Sequence, residues 1–109
     1  FDCRTNQEEI FGPIATIMPF SSEAEVLKMA NSTRYGLSAS VWTQDLNRAQ
    51  RLSRQLEAGI VWINTWMFRD LRTPFGGVKD SGYGREGGMD ALKFFSEVKN
   101  VCIQNEEIR

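Results

Sequence analysis

Three short apolar runs, separated by amphipathic stretches, occupy the first 64 residues of the chain. Residues 14–18 (IATIM), 37–43 (LSASVWT) and 59–64 (GIVWIN) each predict a β-strand. The third run is continuous and apolar, a pattern typical of a strand that is buried on both faces of a parallel sheet. This pattern therefore indicates a β-sheet that is covered by helices.

Two helices are predicted between these strands. Ser22 followed by Glu25 has the spacing of a capping box, and apolar residues then recur at helical spacing as far as Asn31. Asp45 is a good N-cap for the second helix, which is expected to stop at Gly59. The order strand, helix, strand, helix, strand predicts a βαβαβ unit with right-handed crossovers, and thus an α/β fold.

The rest of the chain is less regular. Residues 65–88 have no periodicity and are rich in glycine, so they predict a long loop of the kind that is usually functional or disordered. Residues 89–97 predict another helix with Leu92 and Phe95 facing inward, and residues 98–104 alternate well enough for a last strand.

Composition narrows the class of protein. The chain has 109 residues, of which 41% are hydrophobic and 25% are charged, as expected for one globular domain. Thirteen basic and fourteen acidic side chains give a net charge of −1, without the basic excess of a nucleic-acid binder. No apolar run could cross a bilayer and no signal peptide is recognisable, so we expect a cytoplasmic protein without nucleic-acid or membrane partners.

Histidine is absent from the chain, which removes the commonest general base and metal ligand. The two cysteines, Cys3 and Cys102, match no metal-binding or redox spacing, and no base in the sequence is placed to lower the pKa of either thiol. Cys102 also belongs to an apolar strand pattern. We expect both to be reduced structural thiols.

Two charged segments could carry chemistry. Glu8 and Glu9 are adjacent carboxylates, of which at most one can point inward without cost, so a functional role for the other stays open. Arg69 and Arg72 lie in the glycine-rich loop among large apolar side chains that would exclude water. A guanidinium in such a place could receive a carboxylate, or Arg69 could pair with Asp70 or a distant acid and hold the loop.

A glycine motif, GYGREG from Gly82 to Gly87, has the GxGxxG spacing of a dinucleotide-binding loop. That loop requires a buried strand immediately before it, and residues 76–81 do not have this pattern. We expect the glycines to serve in turns with positive φ.

Five motifs stand in a set order along the chain: EEIFGP (8–13), NSTRYGL (31–37), AGIVWIN (58–64), PFGGVK with SG (74–79 and 81–82) and GRE (84–86). In this order and spacing they resemble the C-terminal part of the NAD(P)-dependent aldehyde dehydrogenase superfamily. The likeness extends over about residues 2–104, and residues 66–77 are most similar to the branch that oxidises muconic semialdehydes.

The resemblance implies a particular architecture. It is a βαβαβ parallel-sheet portion of an aldehyde dehydrogenase catalytic domain, followed by a long loop, a helix and a terminal oligomerisation strand. Residues 1–96 would form the partial catalytic domain, and residues 97–109 the oligomerisation strand and tail. The implied partners are the remainder of the parent polypeptide and other copies of the parent enzyme.

The resemblance also implies a reaction. In this family a cysteine thiolate attacks the aldehyde, hydride passes to the nicotinamide, and a glutamate-activated water hydrolyses the thioester. That cysteine and that glutamate lie upstream of the EEIFGP motif, so this chain alone should be inactive. The cofactor is expected to be NAD, with NADP as the alternative, bound mainly by a domain that this chain lacks.

Site residues can be carried over by position. Glu9 matches the family glutamate that hydrogen-bonds the nicotinamide ribose, and Phe11 matches the aromatic at the nicotinamide end. Phe75 matches an aromatic of the aldehyde tunnel. Arg69 matches the arginine that binds the substrate carboxylate in the muconic branch, with Arg72 as the alternative. No catalytic or metal-binding residue is expected in this chain.

Two functions follow as hypotheses. The first is a fragment or truncated form of an enzyme that oxidises a small aldehyde, here a carboxylated semialdehyde, to an acid. The second is a non-catalytic chain whose sheet edge pairs with full-length subunits. The residue Phe1 in place of an initiator methionine suggests a piece of a longer polypeptide.

Overall fold

The computed structural model describes residues 2–104. Its helices and strands in that range are, in chain order, α1 (Arg4–Gln7), α2 (Glu23–Asn31), β1 (Tyr35–Gly36), β2 (Ser38–Val41), α3 (Leu46–Gln55), β3 (Ile60–Ile63), β4 (Val78–Lys79) and α4 (Gly88–Phe94). The fold is mixed α/β. None of the helices in this range is long and apolar enough to cross a membrane.

A βαβ unit forms the centre of the structure. Strands β2 and β3 are parallel, with Ser38 opposite Ile60 at one end and Val41 opposite Ile63 at the other. Helix α3 connects the strands and contacts both of them. Ala49 and Leu52 of α3 are buried, as is Trp62 of β3. The predicted strand, helix and strand between residues 37 and 64 are thus confirmed.

The predicted helix starts are also confirmed. The Ser22 hydroxyl accepts a 3.2 Å hydrogen bond from the Glu25 amide, and the Asp45 carboxylate accepts a 3.1 Å bond from the Arg48 amide. Each bond satisfies an amide that has no partner within the first turn of its helix. Both signals act over three residues, which is why they could be recognised in the sequence.

A second, antiparallel pair of strands connects the glycine-rich loop to the rest of the structure. Tyr35 lies opposite Lys79, and Gly36 lies opposite Val78. The Lys79 ammonium donates to the carbonyl oxygens of Asn31 and Thr33, at 2.9 and 3.1 Å. The region predicted as one long loop therefore contains β4, whose Lys79 caps the C-terminal end of α2.

Two of the predicted strands are wrong for this structure. Residues 14–18 form no strand, and Ile17 is 96% exposed. Residues 98–104 form no strand either, and Val98 is 94% exposed. A strand requires a hydrogen-bonded neighbour, and residues 2–104 place none beside these segments. The predicted βαβαβ unit is thus a βαβ unit in this structure. The predicted tail, residues 105–109, lies outside the described residues.

The burial of two other elements also differs from the prediction. In β3, Trp62 is buried and the other three residues are partly exposed, so this strand is not buried on both faces as predicted. Leu92 of α4 and Phe95, which follows its last residue, are 58% and 79% exposed, so they do not face inward. The molecule is elongated, with extents of 82 × 33 × 22 Å, and its core is small.

Candidate functional site

The loop that carries the candidate arginines begins immediately after β3. The indole Nε1 of Trp62 donates a 2.8 Å hydrogen bond to the carbonyl oxygen of Phe68. Since Trp62 is buried, this bond ties the residue before Arg69 to the core. The position of Arg69 is therefore set by the sheet as well as by the loop.

Arg69 lies against the ring of Phe75, with its Cζ 4.1 Å from the ring centroid. Its Nη2 donates to Oε1 of Glu86, in an ion pair. Phe75 and Glu86 are paired through their backbones by two hydrogen bonds of 2.8 Å. The structure thus brings together Arg69 and Phe75, two residues that the sequence assigned to substrate binding, and adds Glu86 to them.

Arg72 has a different environment. Its Nε donates to both carboxylate oxygens of Asp70, at 2.9 and 3.1 Å, and the Arg72 guanidinium lowers the pKa of Asp70. Its side chain is 89% exposed, compared with 32% for Arg69. Asp70 is therefore the partner of Arg72, and the distant acid that was considered for Arg69 is Glu86.

The expected shielding of Arg69 by its flanking residues is wrong for this structure. Trp66 and Phe68 are 70% and 78% exposed. The Phe68 carbonyl is held by Trp62, but the Phe68 side chain stays largely exposed to solvent. Among residues 2–104, Phe75 is the one expected aromatic whose ring contacts the Arg69 guanidinium.

Glu9 and Phe11 lie together in the N-terminal segment and line an open pocket of 320 Å³. Glu8 is bound by Arg4 through two hydrogen bonds of 2.9 Å, and this guanidinium lowers the pKa of Glu8. Glu9 has no hydrogen bond or ion pair within the described part of the chain. Phe11 is 93% exposed and has a positive φ of 54°. Of the two adjacent carboxylates, Glu9 is the one available to a ligand.

These two groups of residues are separate in this structure. Phe75 and Glu86 line a different open pocket, of 360 Å³, which neither Glu9 nor Phe11 touches. No hydrogen bond, ion pair or ring contact found among residues 2–104 joins the Arg69 cluster to Glu9. The chain therefore presents two half-sites.

Both cysteines are exposed. The pKa of Cys3 is lowered by its hydrogen bond with the Thr5 hydroxyl, 3.4 Å away, and by the Asn6 amide. Neither group is a base, and both lie in helix α1, which was not predicted from the sequence. Cys102 is not in a strand, since residues 98–104 form none. Residues 2–104 contain no cluster of three or more side chains that could hold a metal ion.

The glycine motif forms turns, as predicted. Gly82, Gly84 and Gly87 have φ values of 135°, 76° and 85°. The strand before the motif, β4, has two residues and is antiparallel, so it is not the buried parallel strand of a dinucleotide-binding unit.

Two ion pairs of this region were not predicted from the sequence. Glu86 reaches Arg69 from 17 residues away, and Lys79, within the glycine-rich loop, reaches Glu57 at 2.5 Å. The GRE motif marked Glu86 as part of a family pattern, but no periodic signal relates it to Arg69. Such pairs depend on how the loop returns to the sheet.

Comparison with known proteins identifies the family. The model of the aldehyde dehydrogenase family matches residues 2–101, nearly the whole chain. The chain belongs to the aldehyde dehydrogenase family. The resemblance predicted from its motifs is therefore confirmed, and the motifs EEIFGP to GRE all lie within the matched range.

Individual relatives extend this result. This aldehyde dehydrogenase chain is 58% identical to a 2-aminomuconic 6-semialdehyde dehydrogenase of Pseudomonas sp over 103 residues, which are 94% of the chain and 21% of the relative. It is 56% identical to a 2-hydroxymuconic semialdehyde dehydrogenase of Pseudomonas putida over 97 residues, 89% of the chain and 20% of the relative. The chain thus spans about one fifth of the length of these relatives.

A solved structure of an aldehyde dehydrogenase is also similar to this chain. The NAD+ complex of an aldehyde dehydrogenase from Bacillus cereus is similar to this chain with a TM-score of 0.83 and 45% sequence identity, over 92% of this chain and 20% of that one. The mixed α/β arrangement with a small parallel sheet is therefore that of an aldehyde dehydrogenase.

Proposed function

We propose that this chain is the C-terminal part of an NAD(P)-dependent aldehyde dehydrogenase that oxidises a carboxylated semialdehyde to a carboxylic acid. The observation that carries this proposal is the position of Arg69, whose guanidinium lies on the Phe75 ring and is one-third exposed. The muconic semialdehyde dehydrogenases among its relatives support the same substrate class. Arg69 is then the receptor for the carboxylate at the far end of the aldehyde.

The geometry of Arg69 suits this role. A guanidinium has five N–H donors arranged around its edge, and stacking on an aromatic ring covers its face while leaving that edge open. One of those donors is bonded to Glu86 within the described part of the chain. A flat carboxylate can accept two parallel hydrogen bonds from such an edge. Arg72 is less suited, because its exposed guanidinium is already held by Asp70.

The nicotinamide end of the cofactor is assigned to Glu9 and Phe11. The exposed Glu9 carboxylate can accept hydrogen bonds from two ribose hydroxyls, and the exposed Phe11 ring offers a flat apolar surface beside it. These residues therefore fit the riboside of either NAD or NADP. When bound, the nicotinamide supplies the hydride acceptor. The contribution of Glu9 and Phe11 is to orient it.

Chemistry at the aldehyde carbon is expected to come from residues that this chain lacks. Neither exposed cysteine has a carboxylate or histidine base among the described contacts, although the Thr5 bond favours the Cys3 thiolate. The chain would bind substrate and cofactor, while the parent polypeptide supplies the nucleophile and the water-activating base. The purified 109-residue chain should therefore not reduce NAD in the presence of an aldehyde.

The proposal is tested in the full-length dehydrogenase that contains this chain. The measurement is the ratio of kcat/KM for a carboxylated semialdehyde to that for an uncharged aldehyde of equal length. Arg69→Ala should lower this ratio roughly 10- to 100-fold, the size expected for loss of hydrogen bonds to a charged group. Arg72→Ala, the matched control, should leave it within about twofold because an exposed arginine contributes little. A collapse confined to Arg72→Ala, or no change in Arg69→Ala, would contradict the proposal.

A further inference from the structure

In this structure the carboxylate of Glu86 is bound to Arg69, the residue that is proposed to receive the carboxylate of the substrate. Arg69 Nη2 donates to Glu86 Oε1, and the other Arg69 donors have no hydrogen-bond partner among residues 2–104. The contact is thus a single bond at one corner of the guanidinium. It is the kind of contact that a carboxylate with two parallel bonds would replace.

The position of Glu86 does not depend on this ion pair. Its amide and carbonyl groups exchange two hydrogen bonds of 2.8 Å with Phe75, and Phe75 is the residue on which the Arg69 guanidinium lies. The backbone therefore keeps Glu86 in the segment beside Arg69 whether or not the ion pair is formed. This arrangement gives the carboxylate of Glu86 a high local concentration at Arg69.

The ion pair is nevertheless weak enough to exchange. The Glu86 side chain is 63% exposed, so water competes for its carboxylate, and exposed ion pairs contribute little to stability. The neighbouring Arg85 is engaged elsewhere, since its Nη1 donates to the carbonyl oxygens of Gly77 and Gly84. Displaced from Arg69, the Glu86 carboxylate can return to solvent.

We infer that Glu86 is a specificity-determining residue, an internal competitor that a ligand carboxylate must displace from Arg69. This inference rests on the proposed function of Arg69. Two carboxylates at one guanidinium repel each other, so a substrate carboxylate that takes Nη2 into a pair of parallel bonds displaces Glu86 from that donor. Ligands that form two parallel bonds overcome this competition, whereas ligands that form one bond do not. Glu86 also keeps Arg69 oriented on Phe75 before the substrate arrives.

The test is equilibrium binding of two probes to the full-length dehydrogenase, measured by calorimetry without aldehyde. Hexanoate carries the carboxylate, and hexanamide is its uncharged analogue of the same length. Glu86→Gln should lower the Kd of hexanoate about two- to fivefold, as expected for removal of an exposed ion pair, and should not change that of hexanamide. In an Arg69→Ala background, Glu86→Gln should have no effect on hexanoate.

A matched control separates local competition from a general effect of charge. Asp70→Asn removes the carboxylate that pairs with Arg72 in the same loop, and it should leave the Kd of both probes unchanged. The inference is overturned if Glu86→Gln weakens or leaves unchanged the binding of hexanoate, or if Asp70→Asn tightens it equally. Glu86→Ala is a second variant with the same expected result, since the hydrogen bonds to Phe75 are made by the backbone.

The same experiment distinguishes failure of the inference from failure of the proposed function. If Arg69→Ala weakens hexanoate binding but Glu86→Gln does not strengthen it, Arg69 is a carboxylate receptor and Glu86 is not its competitor. If Arg69→Ala leaves hexanoate and hexanamide binding unchanged, the proposed role of Arg69 is wrong and the inference is overturned with it.

Discussion

A Cβ atom added to Gly59 would lie 1.7 Å from the carbonyl oxygen of Gly76. The segment that enters β3 and the loop beyond Phe75 therefore touch through their backbones, with no space for a side chain. Gly59 also donates a 3.0 Å hydrogen bond from its amide to the carbonyl oxygen of Gly36. This close approach places the loop segment that contains Phe75, and with it Arg69, next to the parallel sheet.

Gly59→Ala should accordingly destabilise the protein. The added methyl group would force the two backbones apart, at a cost of about 1–3 kcal/mol or more in the free energy of unfolding. Gly12→Ala is the control, since a Cβ at Gly12 would meet no atom within 4 Å. Urea denaturation compares the two variants, and equal free energies of unfolding would show that the contact between Gly59 and Gly76 does not limit the packing.

A second prediction concerns the bond between Trp62 and the start of the loop. Trp62→Phe keeps an aromatic ring in the core but leaves the Phe68 carbonyl without its 2.8 Å donor, which should cost about 1–3 kcal/mol. Trp42→Phe, at a position that is 69% exposed, should change the free energy of unfolding by less than about 0.5 kcal/mol. Urea denaturation of both variants measures this difference. Equal losses of unfolding free energy in the two variants would mean that the hydrogen bond of the Trp62 indole contributes nothing to stability.

The parts of the fold that could be predicted from the sequence are those set by local signals. The Ser22 and Asp45 caps act within one helical turn, and Leu52 and Trp62 carry the apolar pattern of a buried face. Residues 14–18 have an equally good strand pattern but no neighbouring strand in the described range. The hydrophobic pattern predicts which element a segment can form, but a strand forms only where a neighbouring strand is present to accept and donate its hydrogen bonds.

The candidate site also has some residues that could be predicted from the sequence and others that could not. Arg69 and Phe75 could be recognised because they belong to a family motif, but Glu86 could not be paired with Arg69 because the two lie 17 residues apart. The exposed positions of Trp66 and Phe68 also escaped prediction, since the polar or apolar nature of a loop residue does not determine which way it points. Contacts made across an irregular loop depend on the path of its backbone.

A third prediction concerns pH. Glu23 accepts hydrogen bonds from Arg51, at 3.0 Å, and from Arg48, at 3.2 Å, and these bonds lower the pKa of Glu23 in the folded state. Since the unfolded pKa of glutamate is about 4.3, the stabilisation is complete above that value and is lost as the pH falls through the lower folded pKa. These ion pairs connect the first turn of α2 to α3.

Glu23→Gln should therefore be less stable than the wild type near neutral pH, and the difference should shrink on acidification. Urea denaturation at about pH 7, 4 and 3 measures it. Glu97→Gln is the control, because Glu97 has no ion pair among the residues described. A difference between the wild type and Glu23→Gln that stays constant from about pH 7 to pH 3 would contradict the assignment.

The last prediction concerns the cofactor half-site in the full-length dehydrogenase. Glu9→Gln should leave aldehyde binding intact but weaken the acceptor for the ribose hydroxyls, so that the nicotinamide is misplaced and hydride transfer slows. A displacement of about 1 Å can cost roughly a hundredfold in rate. The measurement is the single-turnover rate of NADH formation.

Glu8→Gln is the control for this last prediction, because the Glu8 carboxylate already accepts two hydrogen bonds from Arg4, whereas Glu9 accepts none among residues 2–104. It should transfer hydride at the wild-type rate. Phe11→Leu should have a smaller effect than Glu9→Gln, since it keeps an apolar side chain beside the ribose site. If Glu8→Gln and Glu9→Gln slowed the reaction equally, the effect would come from the net charge of the segment. A wild-type rate in Glu9→Gln would exclude this carboxylate as the anchor of the ribose.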